Sequence, residues 1–262
     1  MSSSSINIIE VNESNVEQYG FFCMRSKKKS DGYQNKLSWL KSRFQEGLKL
    51  KLIRNGEFPL GFIEYIPSEY SWRSVVADNM YVIHCFWILG KSKGKGYGSM
   101  LLQDCESDAR QSGKVGVATV TSNQTWLPDK PFFLKHGYKV VDFSPPAFEL
   151  LVKNFEHSPN PRFIRDHERE TMHFNDGLTI YYSDQCPYIH SALEIISDAS
   201  KELGLEINMI QLTDAQQVKK FAPTAYGVFN VFYNNQLITY HPVTKREFLK
   251  LISPHLNDAG RG

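Results

Sequence analysis

The sequence predicts an α/β (α+β) chain in two parts: a mixed central sheet with flanking helices, then a small second unit. Three observations carry this. Strand-like and helix-like segments alternate through the first half, with one hairpin among them. A glycine-rich loop, Lys93-Gly-Lys-Gly-Tyr-Gly98, joins a strongly apolar segment to an amphipathic one. Past residue 155 the periodicity stops in a proline- and charge-rich stretch, and it resumes near residue 178.

In chain order, Ile6–Val11 reads as a first strand and Tyr33–Gly47 as a helix with glycine near its end. Leu48-Lys-Leu-Lys-Leu-Ile53 alternates apolar and polar residues, the period of a half-buried strand. Asn55-Gly56 is a turn signal, and Leu60–Ile66 returns as the hairpin partner. Met80–Leu89 is apolar and aromatic almost throughout, which predicts a central strand covered on both faces. Ser99–Gln111 sets Met100, Leu101, Leu102 and Cys105 at helical spacing and is closed by Gly113. Val115–Val120 is a further strand and Phe132–Gly137 a short helix stopped by glycine; strands follow near 138–143 and 148–154.

These elements make a first unit over residues 1–155, and 156–177 read as a linker. The second unit spans 178–257. It begins with Leu178–Tyr182 as a strand and Pro187–Leu203 as a helix carrying Ile189, Leu193 and Ile196 on one face. Leu205–Ile210 is strand-like, Val228–Tyr233 and Gln236–Tyr240 form a hairpin about Asn234-Asn235, and Lys245–Ile252 is a helix. Residues 258–262 form a tail.

Composition narrows the function classes. With 41% apolar and 22% charged residues and a formal charge of +2, the chain reads as an ordinary globular protein. It has no electrostatic reason to bind nucleic acid or a membrane surface. No apolar run approaches the roughly 18 to 20 residues that span a bilayer. The start, Met1-Ser-Ser-Ser-Ser-Ile6, lacks the basic and apolar regions of a secretory signal. Cys23, Cys85, Cys105 and Cys186 are far apart with no Cys-x-x-Cys pair, and the eight histidines are scattered. Neither a disulfide framework nor a metal site is therefore expected; a cytoplasmic location is. Oligomeric state leaves no mark on the pattern.

The glycine loop carries the clearest chemistry. Glycines let a backbone turn tightly and aim several N–H groups at one point. Here that point is a helix N-terminus, where unpaired donors and the helix dipole favour an anion. Lys91, Lys93 and Lys95 add positive charge, so a pyrophosphate suits the loop. The glycines at 94, 96 and 98 fit neither a Walker loop nor the Gly-x-Gly-x-x-Gly fingerprint. On glycines alone, a flexible basic turn fits equally well.

The arrangement strand, Lys93-x-x-Gly96-x-Gly98, helix resembles the acetyl-CoA loop of the GNAT (Gcn5-related) N-acetyltransferase superfamily, with Lys93 where the family usually has Gln or Arg. Phe132-Phe-Leu-Lys-His-Gly-Tyr138 is similar to that family's aromatic-rich helix ending in Gly-Phe. The resemblance implies a bacterial-type acyltransferase with acetyl-CoA as co-substrate and an amine of a small molecule or peptide as acceptor, attacking the thioester directly. Pyrophosphate would lie on Lys93, Gly94, Lys95, Gly96, Tyr97, Gly98 and Ser99, and the pantetheine arm along Phe86, Trp87 and Ile88. Asn123 and Phe133 would complete the contacts. Phe133 is also a departure. Many members carry a tyrosine there to protonate the leaving thiolate, and a phenyl ring has no proton to give. No general acid is assigned. As general base, His84 lies on the right strand and imidazole suits the role near neutral pH, against the reading of a satisfied core histidine. Cys85 reads as a small core residue and Glu64 as a solvated or cleft-facing carboxylate, while Trp72, Tyr81, Trp87 and Trp126 line an acceptor pocket or simply pack.

In the second unit, Tyr181-Tyr-Ser-Asp-Gln-Cys-Pro-Tyr-Ile189 runs a strand into Cys186 at a helix start. This resembles the glutaredoxin and thioredoxin active-site turn, and the whole unit resembles the YoaP-type domain at the C-terminus of some bacterial acetyltransferases. A thiol at a helix N-terminus is favoured as thiolate. Ile189 stands where a second cysteine would be, and Tyr226-Gly227-Val228 where a cis-proline would precede the hairpin. Three readings of Cys186 stay open: a reactive or sensing thiol with His190 one turn away, an acceptor-binding residue, or a structural cap. Two rival functions follow, a non-catalytic acyl-CoA-binding or regulatory protein and a monothiol redox protein.

Overall fold

In the computed structural model, residues 6–123, 126–170 and 177–259 are described. The first sheet begins with β1 (Ile6–Val11) at its edge, followed by the short helix α1 (Val16–Tyr19) and by α2 (Asp31–Phe44). The alternating segment then folds as β2 (Lys49–Asn55), turns at Gly56 with φ +57°, and returns as β3 (Phe58–Pro67). A two-residue strand β4 (Val75–Val76) precedes β5 (Met80–Ile88), which leads into α3 (Tyr97–Gln111) and β6 (Gly116–Ser122). Then come α4 (Lys130–Lys135), β7 (Lys139–Ser144), β8 (Phe148–Asn154) and the short β9 (Arg162–Phe163). The seven-stranded order is β1-β2-β3-β5-β6-β8-β7, with β5 and β6 parallel and every other neighbour antiparallel. This is the mixed sheet with flanking helices that the sequence predicts.

Period-two alternation sorts the strands' side chains between two cores. One face sends Ile53, Ile63, Ile83 and Leu151 against Leu101, Leu102, Cys105 and Ala109 of α3 and Phe133 of α4. The other face sends Leu50, Phe62, Val82, Val120 and Phe148 into a second core. That core also receives Trp39 and Leu40 of α2 and a large set of residues from beyond position 177.

Those later residues form β10 (Leu178–Tyr182), α5 (Tyr188–Leu203), β11 (Ile207–Gln211), α6 (Ala215–Phe221), β12 (Phe229–Tyr233), β13 (Gln236–Thr239) and α7 (Lys245–Ala259). Their sheet has the order β11-β10-β12-β13, with β10–β11 parallel and the rest antiparallel. Helix α6, which has no distinct sequence signal beyond its N-cap, begins where the Asp214 carboxylate accepts the Gln217 N–H at 2.8 Å.

The 156–177 segment departs from the linker expectation. Residues 171–176 lie outside the described part, but 162–170 are packed. β9 pairs with β4, Phe163 is fully buried, and the Ile164 N–H donates to the Ser74 carbonyl at 3.0 Å. The Arg169 guanidinium donates to the carbonyls of Ile164 and Pro223. Its charge and prolines hide a strap, because two-residue strands carry no periodicity to read.

Candidate active site

The parallel pair β5–β6 runs only from Met80/Gly116 to Ile83/Thr119. Beyond that point β5 stays paired with β3 and β6 with β8, so the two strands part. From the parting, β5 leads straight into the glycine loop. Gly94 and Gly96 have φ of +76° and +84°, which only glycine adopts without strain, and no atom lies within 4 Å of where a Cβ would sit on either. The loop is therefore shaped by backbone angle and left open on its face. Gly96 caps α3, so the first N–H groups of that helix lack intrahelical partners.

A cavity of about 420 Å³ lies here. Phe86, Trp87 and Ile88 form one wall, and Lys93, Gly94, Gly96, Tyr97, Gly98 and Ser99 form another. Phe132, Lys135 and His136 of the α4 region close it. The His136 imidazole is fixed, with Nε2 2.8 Å from Ser99 Oγ and Nδ1 2.8 Å from the Phe132 carbonyl. The Lys93 ammonium lies 5.3 Å from the Trp87 ring centroid, at the mouth. A diphosphate attached to a long, partly apolar arm fits such a space: backbone donors and lysines at one end, aromatic walls and a free strand edge at the other.

Three predicted contacts sit elsewhere. Lys95 is exposed on the loop and off the cavity wall. Asn123 lines an adjoining groove of about 850 Å³ that shares Leu127 and Asp129 with the cavity. Phe133 is a correction: it is fully buried, packed edge-on against Phe86, Phe132 and Tyr138 at 5.1–5.7 Å between ring centroids. One residue along a helix turns the side chain by about 100°, so Phe132 faces the cavity and Phe133 the core. Neither carries a hydroxyl.

On the opposite face of β5 is a second, much smaller space of about 40 Å³. Its origin is a β-bulge. Glu64 of β3 pairs with Cys85 and Tyr65 with Ile83, which leaves His84 as the extra residue, and both His84 and Cys85 line this chamber. The His84 Nε2 accepts the Trp72 N–H at 3.0 Å, so the ring proton is on Nδ1. Burial holds its pKa down at about 4, and the ring is neutral at pH 7. Glu64 is 2% exposed. Burial pushes its carboxyl upward, but Lys36, at 2.6 Å, and then His84 outweigh that and hold it at about 2.

The chamber draws on both halves of the chain. The Gln185 side-chain N–H donates to Glu64 Oε1 at 3.0 Å, and Cys186 and Tyr226 complete the wall. Cys186 thus faces inward, and burial raises its thiol pKa despite the helix start. Cys85 is pushed up to about 12 by burial, and Cys23, also on the wall, is raised by the same cause. Cys186 and His190 are separate: His190 lies 3.5 Å from Asp31 and Glu194. Among the described residues, no group of three or more His, Cys, Asp or Glu is placed to hold a metal ion, and no helix is long and apolar enough to cross a membrane.

Sequence reasoning missed Phe132, His136, Lys36, Arg73, Gln185 and Tyr226. Lys36 left a signal, since it stands in the apolar stripe Tyr33–Lys36–Leu40 at helical spacing, where a charge is out of place unless paired. Gln185 and Tyr226 lie in the two segments that resemble a thioredoxin active site, a signal for a site there but not for this role, whereas Arg73 sits outside any periodic element and left none.

Residues 12–138 match the model of the acetyltransferase (GNAT) family. Over 249 residues the chain is 29% identical to the uncharacterized N-acetyltransferase YoaP of Bacillus subtilis (strain 168), covering 94% of this chain and 98% of that one. Among solved structures, an acetyltransferase of the GNAT family from Staphylococcus aureus Mu50 is 17% identical with a TM-score of 0.45, over 58% of this chain and 100% of the other. The PaiA N-acetyltransferase from Thermoplasma acidophilum, solved in complex with coenzyme A, is 16% identical with a TM-score of 0.42, over 58% and 99%.

Proposed function

We propose that the chain, whose residues 12–138 match the model of the acetyltransferase (GNAT) family, moves an acetyl group from acetyl-CoA to an amine of a small molecule or peptide by direct attack. One observation carries the reading: the strands part where β5 runs into a left-handed glycine loop, so a free strand edge and an anion site share one 420 Å³ cavity. The loop N–H groups and the α3 N-terminus hold the diphosphate, with Lys93 at the mouth. The free edge of Phe86–Ile88 aligns the arm as an added strand would, and its N–H groups face the carbonyl where charge develops. Acetyl-CoA supplies the activated acyl group.

Of the titratable groups behind β5, neither His84 nor Glu64 is poised to take the amine's proton. The His84 Nε2 lone pair is occupied by the Trp72 N–H, and Glu64 is held near 2 by its ion pair. The attacking species in this reading is amine already neutral in solution, and the rate follows the amine's own titration without an inflection from His84.

The four-stranded sheet with α5 supports a thioredoxin-like reading of the second unit, over 178–257, used here as a wall. A redox role is disfavoured by the raised Cys186 thiol pKa and by Ile189 in the partner position. Free thiols around one cavity fit a reducing cytoplasm.

Calorimetric titration with acetyl-CoA tests the reading: micromolar to millimolar binding is expected, and none at millimolar ligand sinks it. The absence of a hydroxyl on Phe132 and Phe133 favours a second reading, a non-catalytic acyl-CoA binder. Free thiol release across an amine panel separates the two, since a binder releases none.

A further inference from the structure

Three features of the chamber behind β5 lead to an acceptor class. The first is a buried charge without an ion-pair partner, resting 4.8 Å from the Tyr226 ring centroid. Arg73 is 2% exposed and takes part in no ion pair among the described residues. Its guanidinium donates only to carbonyls: Nη1 to Trp72 at 3.2 Å and Tyr226 at 3.1 Å, Nη2 to His84 at 2.6 Å. The wall therefore carries Lys36 and Arg73 against Glu64 alone, with His84 neutral, an excess of one positive charge. Second, one buried N–H donor on that wall, Arg73 Nε, lacks a hydrogen-bond acceptor, and another, His84 Nδ1, has only Glu64 Oε1 at a long 3.6 Å. Native proteins rarely leave such donors unmet. Third, the chamber abuts the reaction space. Cys85 lines the chamber, and the next residue, Phe86, lines the acetyl-CoA cavity.

A neutral amine end does not explain an excess cation with spare donors. A carboxylate does, because it is an anion with acceptor capacity for both donors. The 40 Å³ of space is somewhat more than the roughly 30 Å³ liquid share of one water, enough for a carboxylate head and not for a whole ligand. We propose that the chamber between the two halves is an acceptor subsite for a carboxylate, and that the acceptor is an amine that also carries a carboxylic acid, as an amino acid does. The acid group sits against Arg73 and His84 while the amine projects past Cys85 toward the free edge of β5. The second half of the chain, through Tyr226 and Gln185, closes this subsite, which gives it a part in acceptor choice. This rests on the acetyl-transfer reading above.

The test uses the full chain with acetyl-CoA and matched pairs, each amino acid against its own carboxamide, compared at equal concentrations of neutral amine. The acid of at least one pair is expected to be favoured on the order of 100-fold in kcat/KM, because the amide leaves the buried cation unpaired. Arg73→Gln is expected to bring that ratio toward one, mainly through KM, with acetyl-CoA affinity measured alongside. Since Arg73 also bridges the halves, so that its loss threatens folding, a second measurement uses the wild-type protein alone. Formate and acetate, at ionic strength matched with chloride, are expected to raise its melting temperature, and acetamide is not. Equal turnover within every pair, zero for both included, together with equal melting shifts, overturns the carboxylate subsite. Failure to bind acetyl-CoA overturns the acetyl-transfer reading instead, and the melting comparison still reports on the subsite.

Discussion

The two spaces on either side of β5 are built in opposite ways. The larger one is made of backbone from a single stretch, 86–99, closed by α4; its chemistry lies in N–H groups and in glycine torsions. The smaller one is made of side chains from segments as distant as Cys23 and Tyr226, held by ion pairs and hydrogen bonds. A backbone-built site tolerates side-chain change and is sensitive to torsion. A side-chain-built site is sensitive to the loss of any one partner. Substitution on each side of the strand should therefore fail in different ways.

The largest effect is expected at Glu64. Glu64→Gln keeps the shape but leaves the Lys36 ammonium buried without an anion, which costs about 3–5 kcal/mol of stability. Denaturant unfolding would measure it. The double variant K36M/E64Q removes both charges and should recover most of the loss, as replacement of buried pairs by uncharged groups often does. A double variant as unstable as E64Q would mean that the Gln185 bond, and not the charge, holds the chamber together.

Next in size is a pH effect. Burial lowers the His84 pKa from 6.5 to about 4, so between those values the unfolded chain binds the proton and the folded chain does not. Stability is full above pH 6.5 and falls as pH drops toward 4, by about 3 kcal/mol at about 1.4 kcal/mol per pH unit. Glu64, held near 2, adds its own loss only below about pH 4.5. Melting curves from pH 8 to 4 should show the slope, and His84→Gln should flatten it between 6.5 and 4. An unchanged slope in that variant would assign the effect to other groups.

The same contrast explains what the sequence discloses. The strand–loop–helix junction is legible because torsional demands are local: glycines at 94, 96 and 98 after an apolar run can be read without knowing what packs nearby. The hairpin about Gly56 and the amphipathic face of α3 are legible for the same reason. His84 is on the expected strand, but its role turns on a one-residue bulge opposite Glu64 and Tyr65, and a bulge shifts which face a residue occupies without altering composition. Phe132 and Phe133 were indistinguishable by type; only the rotation of α4 separates wall from core. Arg73 lies in irregular chain, where periodicity has nothing to say, and its partners Tyr226 and His84 are set by tertiary packing.

On the backbone-built side the expected effects are smaller and fall on binding. Gly96→Ala places a Cβ in open space but asks alanine to hold φ near +84°, at roughly 1–2 kcal/mol. Acetyl-CoA affinity should fall about 5- to 30-fold with little change in the bulk of the fold. Gly98→Ala tests a different cause. Its torsion is ordinary, but the new methyl would meet Phe132 and Phe86 ring carbons at 3.1–3.2 Å, so those rings must shift for it to fit. If the two variants weakened binding while protecting different parts of the ligand from exchange, torsion and crowding would be separated.

The smallest effect is expected at Lys93, and its size is informative. If backbone donors carry the diphosphate, the ammonium adds only a partly screened charge at the mouth, where it rests near the Trp87 ring. Exposed charge interactions of this kind contribute at most about 1 kcal/mol, so Lys93→Ala should raise the acetyl-CoA Kd by less than about fivefold. That loss should shrink further as salt is raised, because screening removes what the lysine contributed. Titrations of wild type and K93A at low and high ionic strength would give both numbers. A loss well beyond tenfold that persists at high salt would mean the side chain, not the loop backbone, is the main diphosphate contact. The two sides of β5 would then be built alike, and the sensitivity to torsion assigned to the larger cavity would belong to its lysine instead.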